Sequence, residues 1–116
     1  MTKTVLFVYG TLKRKFHNHY LLESSKYLGN GHTKSKYALY ESSIPFVIKD
    51  EHVSVIYGEL YEINNETLKR LDRLEGHPNW YCREQVEIIT ESGQTMTAWL
   101  YFYPQPNGKL NTTGLY

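Results

Sequence analysis

The sequence predicts an α+β fold built on a curved antiparallel or mixed sheet. Three observations carry that prediction. Five or six short runs are rich in β-branched and aromatic residues, two helical patterns interrupt them without regular β-α-β alternation, and no repeat, low-complexity tract or Pro/Ser-rich linker divides the chain. With 116 residues, one domain spanning 1–116 is the simplest organisation, and it is long enough to bury a core.

TVLFVY (4–9) is a short apolar run stopped by Gly10, the pattern of a buried strand entering a tight loop. NHYLLESSKYLG (18–29) predicts a short helix, with Asn18 as N-cap and Gly29 as its stop. KYALY and PFVI read as short strands. HVSVIYGELYEI (52–63) reads as a longer one, apolar on both alternating faces and so covered on both sides. NNETLKRLDRLEG (64–76) is the clearest helix: Leu68, Leu71 and Leu74 recur every three residues, an asparagine precedes the first turn, and the acid Glu66 comes before the bases Lys69, Arg70 and Arg73. Gly76 and Pro78 end it. REQVEII and TMTAWLYFY follow as strands joined by TESGQ, whose Ser-Gly reads as a hairpin turn, and the closing PQPNGKLNTTGLY is turn-rich and predicted irregular.

Composition excludes several function classes. Thirteen basic residues against twelve acidic leave a net charge of +1, so no whole-protein field draws the chain to nucleic acid or anionic lipid. The single cysteine, Cys82, cannot form an internal disulfide, and the N-terminal apolar run is too short for a signal peptide or a membrane span. The expectation is a soluble cytoplasmic protein with neither a nucleic-acid nor a membrane partner; no feature reports its oligomeric state. Tyrosine is abundant, 11 residues against 4 phenylalanines, which suits a half-wet sheet face or a cavity wall.

Two loops hold the candidate chemistry. In RLEGHPNWY (73–81), Glu75 occupies the last turn of the predicted helix, beside the aromatics Trp80 and Tyr81. The helix dipole there favours the protonated acid by about 0.3–1 kcal/mol, less than one pKa unit, so a carboxyl tuned for acid/base work would also need burial. An exposed glutamate at a frayed helix end satisfies the same pattern. In YGTLKRKFHNHYLL (9–22), a strand that stops at a glycine presents successive backbone N–H groups in the manner of an anion-binding loop, but one glycine does not make a Walker motif, and an ordinary turn fits equally. Other constellations fail: Cys82 and His77 have no spacing that makes a nucleophile and base, and His17 and His19 have no third ligand nearby. No metal or cofactor is expected. Glu59 in YGELY is a second acid able to face a cavity, or to brace the sheet.

Together the two loops resemble the γ-glutamylcyclotransferase-like (AIG2-like) family. LFVYGTLKRKFHNHYLL is similar to its opening strand and Y-G-S/T-L loop, YGELYEI with LKRLDRLEGHPNWYCRE to its second block, and AWLYFY to its closing strand, so that the likeness spans about residues 5–103. The continuation K-R-x-x-x-N-H and the turn E-G-x-P-x-x-Y-x-R look most like the γ-glutamylamine cyclotransferase branch. The resemblance implies a small mixed sheet closing into a barrel-like core with flanking helices and a cavity at one end. It also implies a reaction on a small-molecule γ-glutamyl amine or amino acid that releases 5-oxoproline, with Glu75 as catalytic acid/base and the backbone of Tyr9, Gly10, Thr11 and Leu12 holding the substrate α-carboxylate. Tyr81 matches the family's tyrosine after the turn and Tyr103 lies where the last strand could reach the cavity, which makes both candidate substrate contacts. The sequence departs from the family pattern at Lys15, Phe16 and His17, at the expected cavity mouth. A non-catalytic module binding a small anion or γ-glutamyl metabolite is the alternative. Against it stands Glu75, an acid that a carboxylate binder would not place beside its ligand.

Overall fold

The computed structural model describes residues 4–10, 12–14, 19–22, 25–42, 44–77, 79–106 and 108–116. The strands in chain order are β1 (Thr4–Val8), β2 (Lys26–Thr33), β3 (Ala38–Glu41), β4 (Pro45–Ile48), β5 (Tyr57–Ile63), β6 (Cys82–Thr90), β7 (Thr95–Phe102) and β8 (Lys109–Asn111). One α-helix, α1 (Asn65–Glu75), joins β5 to β6, and a 3-10 turn, His19–Leu22, precedes β2. Five strands in the order β1-β5-β2-β6-β7 form a closed barrel, and the closure is a parallel contact of β1 with β7 at Leu6 and Trp99. A second sheet, β4-β3-β8, lies outside that ring.

Strand β1 shows why the chain closes on itself. Its side chains alternate between two buried clusters: Leu6 and Val8 pack with Leu71, Tyr81 and Tyr101, whereas Phe7 packs with Leu60, Ile88 and Leu100. A strand apolar on both faces needs cover on both, which α1 and the barrel strands supply. Helix α1 begins as expected, with the Asn64 side chain accepting the Thr67 N–H at 2.8 Å, and it buries Thr67 and Leu71.

Three expectations are corrected. The stretch predicted as a helix over 18–29 is the 3-10 turn followed by β2 (Asn18 lies outside the described residues). β2 is paired on both edges, with β5 and β6, and Gly29 stops no helix; at φ +118° it forms the bulge between Tyr27 and Gly29 in the β5 register. Ladder bonds to two neighbours outweigh a weak helical propensity. The long strand predicted over 52–63 begins only at Tyr57, because Val53 and Ser54 donate instead to the Tyr37 carbonyl. The tail is not wholly irregular: Lys109–Asn111 pairs with β3, and the Asn111 Oδ1 then organises the turn that follows by accepting the Thr113 N–H. Among the described residues, no helix is long and apolar enough to cross a membrane.

Candidate active site

A cavity of about 190 Å³ opens where the end of β1, the end of α1 and the start of β4 meet. That is smaller than the roughly 300–1,000 Å³ of drug-sized pockets and matches a small metabolite. Its inner wall comes from the end of β1 and the loop after it: Phe7, Val8, Tyr9, Gly10 and Leu12. The loop is a tight turn, with the Lys13 N–H donating to the Gly10 carbonyl at 3.0 Å. It is tied down at three points. Glu59 Oε1 accepts the Arg14 backbone N–H at 2.9 Å, the His19 ring Nδ1 bonds the Leu12 carbonyl at 3.0 Å, and the buried Lys13 donates its Nζ to the Tyr116 carbonyl at 2.7 Å. A Cβ on Gly10 would lie 2.5 Å from Pro45 Cγ, so only glycine lets this loop approach β4.

Glu75 enters from the opposite side. It is the last residue of α1, where Gly76 takes φ +66° and its N–H caps the helix. The chain then folds back: the Trp80 N–H donates to the Gly76 carbonyl at 2.8 Å and the Tyr81 N–H to the Glu75 carbonyl at 3.0 Å. These bonds hold both aromatics on the cavity wall beside the acid.

Three tyrosines, Tyr9, Tyr81 and Tyr101, line the same cavity, and each hydroxyl is committed elsewhere. Tyr9 donates to the Tyr101 carbonyl at 2.9 Å, Tyr81 to the Pro45 carbonyl at 3.0 Å, and Tyr101 to Asp72 Oδ1 at 2.7 Å. None of these three phenol protons is therefore given to Glu75. Burial without a compensating bond raises the Glu75 carboxyl from 4.5 to about 7. The same burial raises Tyr81, and the neighbouring Glu75 charge pushes it further up.

Of the residues expected at the site, Tyr9, Gly10, Leu12, Glu75 and Tyr81 line the cavity, and Thr11 lies outside the described residues. Tyr103 sits one layer behind: its ring packs on Tyr81 at 5.2 Å and on Phe46 at 4.7 Å between centroids, and Tyr101 lines the cavity in its place. Lys15, Phe16, His17 and Pro78 also lie outside the described residues. Glu59 has a bracing position: besides Arg14 it accepts the Tyr61 hydroxyl at 2.8 Å, away from the cavity lining. His77 accepts the Arg83 N–H on Nδ1 at 3.2 Å, and Cys82 is a free thiol on β6. Among the described residues no cluster of three His, Cys, Asp or Glu is arranged to hold a metal.

Sequence reasoning assigned no role to Asp72, Arg83 or Tyr101. Arg83 clasps Asp72 in a two-pronged pair, Nε to Oδ1 at 2.8 Å and Nη2 to Oδ2 at 3.1 Å, while its guanidinium lies 4.3 Å from the Trp99 ring centroid. Burial opposes ionisation of Asp72, but the bonds from Arg83 and Tyr101 outweigh it and hold this carboxyl below its ordinary value. The two acids of LDRLEG, three residues apart, are therefore driven in opposite directions. An available signal was the arginine two places after Tyr81, at the start of β6.

Comparison with known proteins agrees with this architecture. A family model described as γ-glutamyl cyclotransferase, AIG2-like, matches residues 6–116. A candidate γ-glutamylcyclotransferase of Methanocaldococcus jannaschii is 51% identical over 112 residues, covering 96% of this chain and 93% of that protein. γ-Glutamylaminecyclotransferase B of Danio rerio is 33% identical over 110 residues, covering 85% of this chain and 58% of that longer protein. The crystal structure of a mouse AIG2-like protein superposes with a TM-score of 0.78 at 28% identity, over 88% of this chain and 78% of the mouse chain. With the barrel, the loop after β1 and the helix-end acid all in place, the chain belongs to the AIG2-like γ-glutamylcyclotransferase family.

Proposed function

We propose that the protein is a cyclotransferase that converts a γ-glutamyl amine or γ-glutamyl amino acid into 5-oxoproline and the free amine. The observation that carries the reading is the Glu75 carboxyl, set in the cavity beside three tyrosines whose hydroxyls all bond elsewhere. Such a group gives and takes a proton near neutral pH, and no side chain among the described residues holds that proton in place of a substrate.

The substrate's α-ammonium hands one proton to the Glu75 carboxylate, and the freed nitrogen attacks the γ-carbonyl carbon. A C–N bond forms within a five-membered ring. The ring nitrogen, which still carries two protons after attack, gives one up as the lactam forms. The bond from the γ-carbon to the departing nitrogen breaks as Glu75 returns the first proton to it, and the freed amine takes up the second to leave as an ammonium. Atoms and charge balance with no protein nucleophile and no water consumed. The chain contributes near-attack geometry, which ring closure rewards strongly. Gly10 and Leu12 line the inner wall of the cavity, and in this reading the backbone N–H groups of their loop meet the substrate α-carboxylate there. Glu59, Lys13 and His19 keep that loop rigid.

The test is 5-oxoproline release from a panel of γ-glutamyl amines and γ-glutamyl amino acids, by wild type and by Glu75→Gln. Loss of turnover by about 10²–10⁴-fold in the variant, with its fold intact by circular dichroism, supports the assignment. Binding of γ-glutamyl compounds by wild type without turnover of any would make the protein a binding module instead.

A further inference from the structure

The cavity has a direction. At its inner end Tyr9, Leu12 and Tyr81 are buried, with exposures of 7%, 6% and 6%, whereas at its mouth Ile44, Leu74 and Trp80 are 39%, 48% and 67% exposed. Three large apolar side chains left in water around one opening are a recognition surface, because hydrophobic exposure grouped at a cavity mouth marks where a ligand covers it. Trp80 is also held firmly in this exposed position. Its backbone N–H is bonded to the Gly76 carbonyl, and its Cβ and Cγ pack so closely on Gly76 that a Cβ added there would lie 3.0 and 3.2 Å from them.

We infer that Trp80, Leu74 and Ile44 form the subsite for the departing amine and select γ-glutamyl compounds whose leaving group is a hydrocarbon or aromatic amine. This rests on the cyclotransferase reading, which sets the glutamyl half at the inner end and the departing nitrogen at Glu75, leaving the amine's carbon skeleton to emerge along the rim. Glu75 is the single charged side chain among the described residues that line the cavity. An α-amino-acid leaving group carries a carboxylate one carbon from the departing nitrogen. That charge would sit beside Leu74 and Glu75, where no cation among the described lining residues meets it or offsets its desolvation. A benzyl- or butyl-sized amine places only carbon there and covers Trp80.

The experiment compares kcat/KM for γ-glutamyl benzylamide, γ-glutamyl methylamide and γ-glutamylglycine. It is paired with calorimetric titration of two amides of glutaric acid, the monobenzylamide and the monomethylamide, which lack the α-amino group and cannot cyclise. In wild type the benzylamide is expected to exceed both other substrates by roughly tenfold, the order that one aromatic pair and its covered area provide. The benzyl glutaramide should bind tighter than the methyl one by a similar ratio. Trp80→Ala should reduce both ratios at least about fivefold, while Trp80→Phe retains most of each. Equal use of benzylamide and γ-glutamylglycine, or ratios indifferent to Trp80→Ala, overturns the subsite. A benzyl gain in binding that Trp80→Ala abolishes, without turnover of any amide, keeps the subsite and refutes the reaction. Absence of a benzyl gain in binding refutes the subsite whatever the turnover.

Discussion

A carboxyl group set among three phenols would ordinarily accept a hydrogen bond from one of them and ionise more easily for it. At Glu75 none is offered, because Pro45, Asp72 and the Tyr101 carbonyl have taken those protons. The acid is consequently raised to about 7 by burial alone, and its ionised form, the one able to accept a proton, is half populated near that pH. The sign follows from the proposed mechanism, in which the carboxylate accepts the first proton: kcat/KM should fall about tenfold per pH unit on the acid side of roughly pH 7 and level off above it. Initial rates of 5-oxoproline release across that range check this. An acid limb near pH 4.5, the ordinary position, would mean that the group is solvated when it acts. The sequence marked Glu75 as a candidate through its helix-end position and its family-like setting. Its burial was not legible, because the covering side chains come from residues 9, 45 and 101, far from it along the chain.

Individual elements divide the work between chemistry and support. Helix α1 carries both acids of LDRLEG, and its Asp72 pairs with Arg83 of β6 and accepts the Tyr101 hydroxyl of β7, so that one carboxylate pins the helix end to two barrel strands. Asp72→Ala would leave a partly buried guanidinium and a buried phenol without their acceptor. The expected loss is about 1–3 kcal/mol of stability, read as a lower urea midpoint, with kcat reduced as Glu75 loses its fixed position. An unchanged midpoint would show that the pair is ornamental. Elements with a local signature were readable: α1 from its leucine spacing and cap, the β6–β7 hairpin from Ser-Gly, and β1 from its apolar run. β2 was not, since its two glycines and single leucine have no strand pattern of their own. It exists because β5 and β6 present unpaired edges on either side, which is non-local information. Leu74 shares the leucine spacing that marks the helix, but the cavity opens beneath the last turn and leaves it at the mouth.

For the molecule as a whole, the site is held at a cost to folding, and the cost has a definite pH dependence. In the unfolded chain Glu75 titrates at its ordinary 4.5, and in the folded barrel at about 7. Between those values the native state binds the proton that the unfolded state has released, so this residue's contribution to stability declines as pH rises through that window and is constant above it. The whole effect is on the order of 3 kcal/mol at most, taking the ordinary value of 4.5 and the raised value of about 7. Glutamine has nearly the same shape and no charge to desolvate. Glu75→Gln and wild type should therefore melt together near pH 4, with the variant melting progressively higher as pH increases to about 7 and keeping a lead of several degrees beyond it. Groups that titrate equally in both proteins cancel from this difference, so thermal melts of the pair at a series of pH values isolate the one carboxyl. A constant difference across the series would show that Glu75 is hydrated in the folded protein and would remove the basis for its acting as both acid and base. A divergence confined to the window between 4.5 and 7 would show that the barrel holds an ionisable group in a place where it weakens the fold. Such strain persists in proteins chiefly where the group does chemistry.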